Sequence, residues 1–195
     1  TLLVTEKRGV LWHVTNDGSK TEMQGLWKVA YGGQGGLGDV VLHPDFERNS
    51  WVYLSYAERA DDDATIGAVV VRAKLDLKKD PLKLASVEKL WVQQPKVTGK
   101  GHYSHRIAFG PDRKMFITSG DRQKLTPAQN FDGHLGKVLR LNDDGSVPKD
   151  NPFYGQGSVT EQIWTLGHRN PLGIDFDEQG NLWAHEIGPR HGDEL

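Results

Sequence analysis

The feature that most constrains the fold is a short hairpin unit that recurs along the chain. Each copy ends in an apolar strand, and four such strands are apparent: Leu2–Glu6, Val52–Tyr56, Met115–Ser119 and Leu182–Glu186. Three of them follow another strand and a turn that carries an acid, so the unit is strand, acidic turn, strand. Successive copies lie about 50, 63 and 67 residues apart, a loose spacing typical of propeller blades.

Hairpins repeated at this interval, with no long helix between them, favour an all-β propeller, although an ordinary sandwich with coincidental hairpins stays open. Ala68–Asp76 and Gly136–Leu141 are predicted third strands of successive blades. At this period the chain covers about three blades, whereas closed propellers have about four to eight. We therefore expect residues 1–195 to be part of a single β-propeller domain that is truncated at both ends.

Charge and composition exclude several functions. The chain has 24 Lys and Arg against 26 Asp and Glu, and they are scattered, so nothing favours binding to nucleic acid or an anionic membrane. No stretch approaches the roughly 20 apolar residues that a membrane-spanning helix needs. The absence of cysteine excludes disulfides, Cys-ligated zinc and thiol catalysis, and is compatible with the periplasm.

Polar, glycine-rich segments at strand ends are candidates for a functional site. The first, Gly32–Asp39, holds Gln34 among five glycines in seven residues, which lets a backbone approach a ligand closely. A structural turn is the alternative. A phosphate loop is excluded because a strand follows, without the Lys-Ser/Thr ending and helix that such a loop needs.

The second segment, Gly101–Arg106, contains His102. The hairpin that follows should return Asp121 to the side of His102, where a carboxylate could orient the imidazole as a general base. His102 and His105 also form an H-x-x-H pair, which on a loop is a weak zinc signal. A surface histidine with no catalytic role is the alternative.

The third and fourth segments suggest ligands for anions and for a hard cation. In Gly167–Pro171, Arg169 beside Asn170 offers a fork for carboxylate or quinone oxygens, or else forms a structural salt bridge. In Glu186–Glu194, the carbonyls of Gly188 and Pro189 with acids nearby suit calcium, unless this is only a charged hairpin loop.

The order and spacing of these segments resemble the soluble quinoprotein glucose/sorbosone dehydrogenase family, particularly its aldose sugar dehydrogenase branch. The Gly-His-Arg-Asn-Pro run at 167–171 is the most specific piece, and the segment 141–153 is similar too. The resemblance extends over essentially the whole chain.

The resemblance implies a six-bladed propeller that oxidises the C1 hydroxyl of aldoses to lactones and passes hydride to calcium-bound pyrroloquinoline quinone (PQQ). It also implies an external electron acceptor and a periplasmic or secreted location. The matching positions imply the following roles: His102, Asp121 and Arg169 catalytic, with His102 the base; Gln34, His102, Arg169 and Asn170 in contact with the quinone; Gly188 and Pro189 giving main-chain oxygens to calcium.

Two positions depart from the family pattern. Gly101 stands where glucose-oxidising members have an acid, which removes a possible hydrogen bond to the sugar, and His105 stands where glycine is usual. Two other functions remain open: a calcium-dependent propeller hydrolase of the lactonase type, and a non-catalytic propeller. The Gly188–Pro189 carbonyl pattern argues against the hydrolase, which would bind its metal through side chains.

Overall fold

The computed structural model describes residues 1–195 and is all-β apart from three short helical segments. These are the α-helix α1 (Phe46–Asn49) and the 3₁₀ helices Thr126–Gln129 and Thr160–Gln162. No helix is long and apolar enough to cross a membrane. The strands are β1 (Leu2–Glu6), β2 (Val10–Val14), β3 (Lys20–Glu22), β4 (Leu37–Leu42), β5 (Trp51–Arg59), β6 (Ile66–Leu75), β7 (Leu84–Val92), β8 (Ser104–Phe109), β9 (Met115–Ser119), β10 (Lys137–Leu141), β11 (Ile163–Leu166), β12 (Pro171–Phe176) and β13 (Leu182–Glu186).

The strands form four antiparallel sheets that follow chain order. The first is β1-β2-β3, the second β4-β5-β6-β7, the third β8-β9-β10-β11 and the fourth β12-β13. The four predicted hairpin strands appear as β1, the centre of β5, β9 and β13, and the two predicted third strands appear as β6 and β10. The sequence-based prediction of an all-β fold is therefore confirmed.

These sheets are successive blades of a β-propeller. Strand β4 lies against β1 and β8, and β12 lies against β8, so each sheet packs beside the next. Backbone hydrogen bonds also join neighbouring blades: Leu37 N of the second sheet donates to Lys7 O of the first at 2.9 Å, and Asp121 N after β9 donates to Arg169 O before β12 at 2.8 Å. Contacts of each blade with the next are what a radial array of blades requires.

The predicted extent of about three blades agrees with the 13 strands of the structure. The strands are distributed over four sheets, of which only the second and third have four strands. The spacing of hairpins locates each blade but does not report how many of its strands a given stretch of chain includes.

The second sheet is buried on both faces because other blades cover both sides. Along β5, Val52 and Leu54 pack with Leu11 of the first sheet, whereas Tyr53 between them packs with Ile117 of the third. This alternation follows from side chains pointing to opposite faces of a strand. It fixes the second and third blades relative to each other, and the candidate site lies at the end of the third.

Candidate active site

The His102–Asp121 pair is the centre of the site. Strands β8 and β9 pair from Ser104 opposite Ser119, so the residues just outside the hairpin meet. His102 Nδ1 lies 2.7 Å from Asp121 Oδ1, and both residues are buried, at 6% and 2% exposure. The sequence-based expectation that the hairpin returns Asp121 to His102 agrees with this geometry. A carboxylate that accepts from Nδ1 leaves the lone pair on Nε2.

Asp121 is itself held by two backbone contacts. Its Oδ1 also accepts a hydrogen bond from Gln123 N at 2.8 Å, and its own N–H donates to Arg169 O at 2.8 Å. The second contact ties the histidine's partner to the segment that begins the fourth blade. The orientation of His102 is thus set from two blades.

The glycine-rich loop packs against the segment that carries His102, called here the histidine loop (residues 99–105). Gln34 Oε1 accepts the His102 N–H at 2.7 Å, and Gln34 N donates to Lys100 O at 2.8 Å. Gly33 has φ 57°, and a side chain there would overlap the Lys100 carbonyl. The close backbone approach that the glycines predict is therefore made to the histidine loop.

Arg169 and Asn170 are positioned by Glu186, a residue whose role sequence reasoning missed. Its Oε2 accepts the Arg169 N–H at 2.5 Å and the Asn170 N–H at 2.9 Å. Asn170, only 1% exposed, accepts the Ser104 hydroxyl hydrogen bond at 3.1 Å through Oδ1. The structure thus brings the Arg169–Asn170 turn into contact with the histidine loop.

The guanidinium of Arg169 reaches the Gly-Pro loop (residues 187–194). Its Nη1 donates to Ile187 O at 2.5 Å, and it forms no ion pair with a carboxylate. Arg169 therefore does not form the structural salt bridge that the sequence left as the alternative. A positive charge remains available beside Gly188.

The Gly-Pro loop is exposed and is held mainly by contacts within itself. Gly188 N donates to Asp193 Oδ1 at 3.0 Å, and Gly192 N donates to Pro189 O at 3.1 Å. No cluster of three or more acidic, histidine or cysteine side chains suited to a metal is present in the structure. The calcium role of Gly188 and Pro189 stays a prediction, and it would rest on carbonyl oxygens.

His168 and His105 both lie apart from the His102–Asp121 pair. His168 engages Thr165 Oγ1 through Nε2 at 2.7 Å and Glu186 Oε1 through Nδ1 at 3.3 Å, which leaves neither ring nitrogen free. His105 instead bonds Ser55 Oγ through Nδ1 at 2.8 Å, and burial lowers its pKa to about 4. The Nδ1 atoms of His102 and His105 contact different partners, and neither residue belongs to a group of three or more candidate metal ligands.

Arg122 contacts the histidine loop through two backbone carbonyls, and sequence reasoning also missed this role. It is 1% exposed, and it donates from Nε to Gly101 O at 2.8 Å and from Nη2 to Gly99 O at 2.7 Å. Its guanidinium also stacks on Tyr103, 3.7 Å from the ring centroid. When the acceptors of an arginine are backbone carbonyls, no residue type in the sequence indicates the contact.

The histidine loop borders a cleft of about 560 Å³ that runs along the inner strands of the blades. Its lining includes Gln34, Tyr103, Ser104, Asp39 and His105. At Gly101, where an acid would stand in glucose-oxidising relatives, an added Cβ would lie 2.7 Å from the Gln123 side chain. Gln123 therefore occupies the space next to His102 that an acid would need.

Comparison with known proteins identifies the family of the chain. The family model described as Glucose / Sorbosone dehydrogenase matches residues 1–195. The chain is 36% identical over 196 residues to aldose sugar dehydrogenase YliI of Escherichia coli K12, covering 100% of this chain and 52% of that protein. It is 35% identical to quinoprotein glucose dehydrogenase B of Acinetobacter calcoaceticus, covering 84% of this chain and 38% of that protein.

A solved structure of an aldose sugar dehydrogenase from Streptomyces coelicolor, described as PQQ-bound, superposes with a TM-score of 0.87 at 30% identity. The superposition covers 98% of this chain and 55% of that one. The chain therefore spans about half the length, or less, of the relatives that it matches. With the family model matched from end to end, this chain belongs to the glucose / sorbosone dehydrogenase family.

Proposed function

We propose that the protein containing this chain oxidises the C1 hydroxyl of aldose sugars to lactones, using PQQ bound together with calcium. The observation that carries the proposal is the buried His102–Asp121 pair, joined by hydrogen bonds to Gln34 and to the Arg169–Asn170 turn. Relatives named as aldose sugar dehydrogenase and quinoprotein glucose dehydrogenase support it.

The donor groups around this pair fit a quinone that bears carboxylates. Gln34 and Asn170 each use the side-chain oxygen within the protein, which leaves the amide N–H groups to donate. The Arg169 guanidinium adds a charged donor fork. Three segments that contact the histidine loop or its partner Asp121 thus carry side-chain N–H donors, which is the chemistry that carboxylates and quinone oxygens require.

His102 is the group that would take the proton. Because Asp121 accepts from Nδ1, Nε2 is left to accept the hydrogen of the C1 hydroxyl. Asp121 would keep that tautomer and stabilise the imidazolium that forms. When bound, the quinone would supply the acceptor for the hydride that leaves C1, so proton and hydride together convert the aldose into a lactone.

Arg169 and the Gly-Pro loop would serve the cofactor end of the site. The charge of Arg169, held by its bond to Ile187 O, would stabilise negative charge that develops nearby. The carbonyl oxygens of Gly188 and Pro189 are hard ligands that suit calcium, whose remaining ligands would come from the cofactor and water. These roles for Arg169, Gly188 and Pro189 are part of the proposal.

The test is reconstitution of the full-length protein stripped of cofactor. Dye reduction by aldoses is expected only when PQQ and calcium are both present. Activity with NAD and no quinone would contradict the proposal, and lactone hydrolysis without redox turnover would favour the hydrolase. Failure to bind PQQ or any aldose would favour a non-catalytic propeller.

We also propose that an external electron acceptor reoxidises the quinone and that the protein acts in the periplasm or outside the cell. Both points follow from the family resemblance and not from a residue of this chain. Fractionation of the native host tests the location, and turnover with candidate acceptors tests the other point.

A further inference from the structure

The backbone around the catalytic histidine adopts an unusual conformation. His102, Ser104 and His105 have φ values of 49°, 55° and 54°, in the left-handed region that residues other than glycine rarely adopt. Three such residues within four positions persist only when their surroundings hold them there. Contacts around these three residues must therefore provide that constraint.

Two of the three residues are held by groups already placed in the site. His102 is bonded by Gln34 and Asp121, and Ser104 is bonded by Asn170. The proposed reaction assigns no role to His105. It is nevertheless as buried as His102, and its φ lies in the region that only glycine adopts without steric penalty.

The imidazole of His105 fills a notch formed by Gly38. A Cβ added at Gly38 would overlap the ring atoms Cε1 and Nδ1 of His105, so glycine is the residue that leaves room for the ring. Gly38 belongs to the second blade and His105 to the third. The contact therefore joins the histidine loop to the neighbouring blade.

A hydrogen bond fixes the ring within this notch. Ser55 Oγ, fully buried, accepts the Asp39 N–H at 2.9 Å, so its own hydrogen can be donated to His105 Nδ1 at 2.8 Å. Nε2 then carries the ring proton. The ring is thus held by shape at Gly38 and by hydrogen bonding at Ser55.

We propose that His105 is a positioning residue: seated against Gly38 and bonded to Ser55, it holds His102, Ser104 and itself in the left-handed conformation and so sets the position of His102. A glycine at position 105 could adopt this shape without a side chain to hold it there. In this chain, a side chain inserted into the adjacent blade maintains it. The catalytic consequence rests on the proposed function, whereas the conformational lock does not.

The test uses the full-length protein loaded with PQQ and calcium, and compares Gly38→Ala, His105→Gly and the double variant. Gly38→Ala should displace the imidazole and lower kcat by about tenfold or more, with a smaller change in KM for the aldose. His105→Gly should cost about threefold to fivefold, because glycine allows the conformation without enforcing it. The double variant should match His105→Gly and so recover part of the loss.

A second readout does not depend on activity. In the apoprotein, the ¹⁵N chemical shifts of the His102 ring and the exchange protection of the Ser104 amide should change in Gly38→Ala and return toward wild type in the double variant. Gly18→Ala is the control, since nothing lies within 4 Å of its added Cβ; it should change stability without changing the His102 signals.

Additive effects of the two substitutions on kcat and on the His102 spectrum would overturn the proposal, as would a Gly38→Ala protein with wild-type values of both. If Gly38→Ala fails to fold, a folded double variant demonstrates the steric coupling, and a double variant that also fails contradicts it. Coupled NMR changes in a protein that oxidises no aldose would refute the proposed function and leave the lock intact.

Discussion

The histidine loop and the Gly-Pro loop border the same site but are built in opposite ways. Residues 101–105 of the histidine loop are buried, and side chains from other segments, among them Gln34, Asp121 and Arg122, contact the loop. The Gly-Pro loop is exposed, and apart from the bonds that Ile187 makes with Arg169 and Asn170, its hydrogen bonds are local, within it or to Glu186. The part of the site that would handle a proton is therefore preorganised by the fold.

The difference has a chemical reason. A general base must keep one tautomer and one orientation before the substrate arrives, and a carboxylate within 2.7 Å provides both. Calcium takes about six to eight oxygen ligands, so the two carbonyl oxygens of the Gly-Pro loop would not complete the proposed site by themselves. We therefore expect substitutions in the histidine loop to change kcat and those in the Gly-Pro loop to change cofactor affinity.

Gly188→Ala should have the largest effect on the Gly-Pro side. An added Cβ would overlap the Gly192 carbonyl, so the loop must rearrange and displace both proposed calcium ligands. We expect calcium-dependent PQQ affinity of the full-length protein to fall about a hundredfold, since overpacking costs ~1–3 kcal/mol. Absorbance titration with PQQ measures it. Gly157→Ala, which has open space around its Cβ, is the control and should bind normally.

Asp121→Asn tests the other side of the comparison. The amide can no longer enforce the Nδ1-protonated tautomer, although the base remains, so kcat should fall about tenfold to a hundredfold. PQQ affinity should change by less than about threefold, because the contacts of Arg169 and Asn170 with Glu186 are intact. A larger loss in PQQ affinity than in kcat would contradict the assignment of proton transfer to the histidine loop and of cofactor binding to the Gly-Pro loop.

Glu186→Gln should have a smaller effect, and it should act on cofactor affinity. Its carboxylate accepts from two backbone amides and faces His168, and the neutral amide would be a weaker acceptor. We expect about a tenfold loss of PQQ affinity, corresponding to ~1.4 kcal/mol, with kcat at saturating PQQ within about twofold. Equal losses in kcat and affinity would instead place Glu186 in the proton-handling half.

The pH dependence of stability tests the rigid side through His105, together with a second buried histidine, His134. Burial lowers the pKa of His105 to about 4 and that of His134 to about 3, whereas both titrate near 6.5 when unfolded. Between about pH 6.5 and 4 the unfolded chain binds more protons, so the free energy of unfolding falls as pH falls, by up to ~1.4 kcal/mol per pH unit for each group.

Denaturant titrations of wild type and His134→Gln across this range measure the effect. The variant should lose about half of the histidine contribution to the slope. Identical slopes in the two proteins would contradict the assignment of His134 as a buried neutral group.

Those parts of the fold and site that depend on local pairing could be predicted from the sequence. Strands β9 and β13 have the predicted bounds, and the approach of Asp121 to His102 follows from one hairpin. The contacts of Arg122 with Ile66, and of His105 with Ser55, join residues 56 and 50 positions apart on different blades. They depend on how the blades pack, which the spacing of hairpins does not specify.

The central claim is that His102, oriented by Asp121, is the base in a quinone-dependent oxidation of aldoses. The most direct test is stopped-flow measurement of quinone reduction by an aldose in full-length PQQ- and calcium-loaded wild type and His102→Ala, with PQQ occupancy determined for each. We predict that quinone reduction is at least about a hundredfold slower in His102→Ala at unchanged PQQ occupancy. A wild-type rate in His102→Ala, with a loss in His168→Ala at full occupancy, would contradict it.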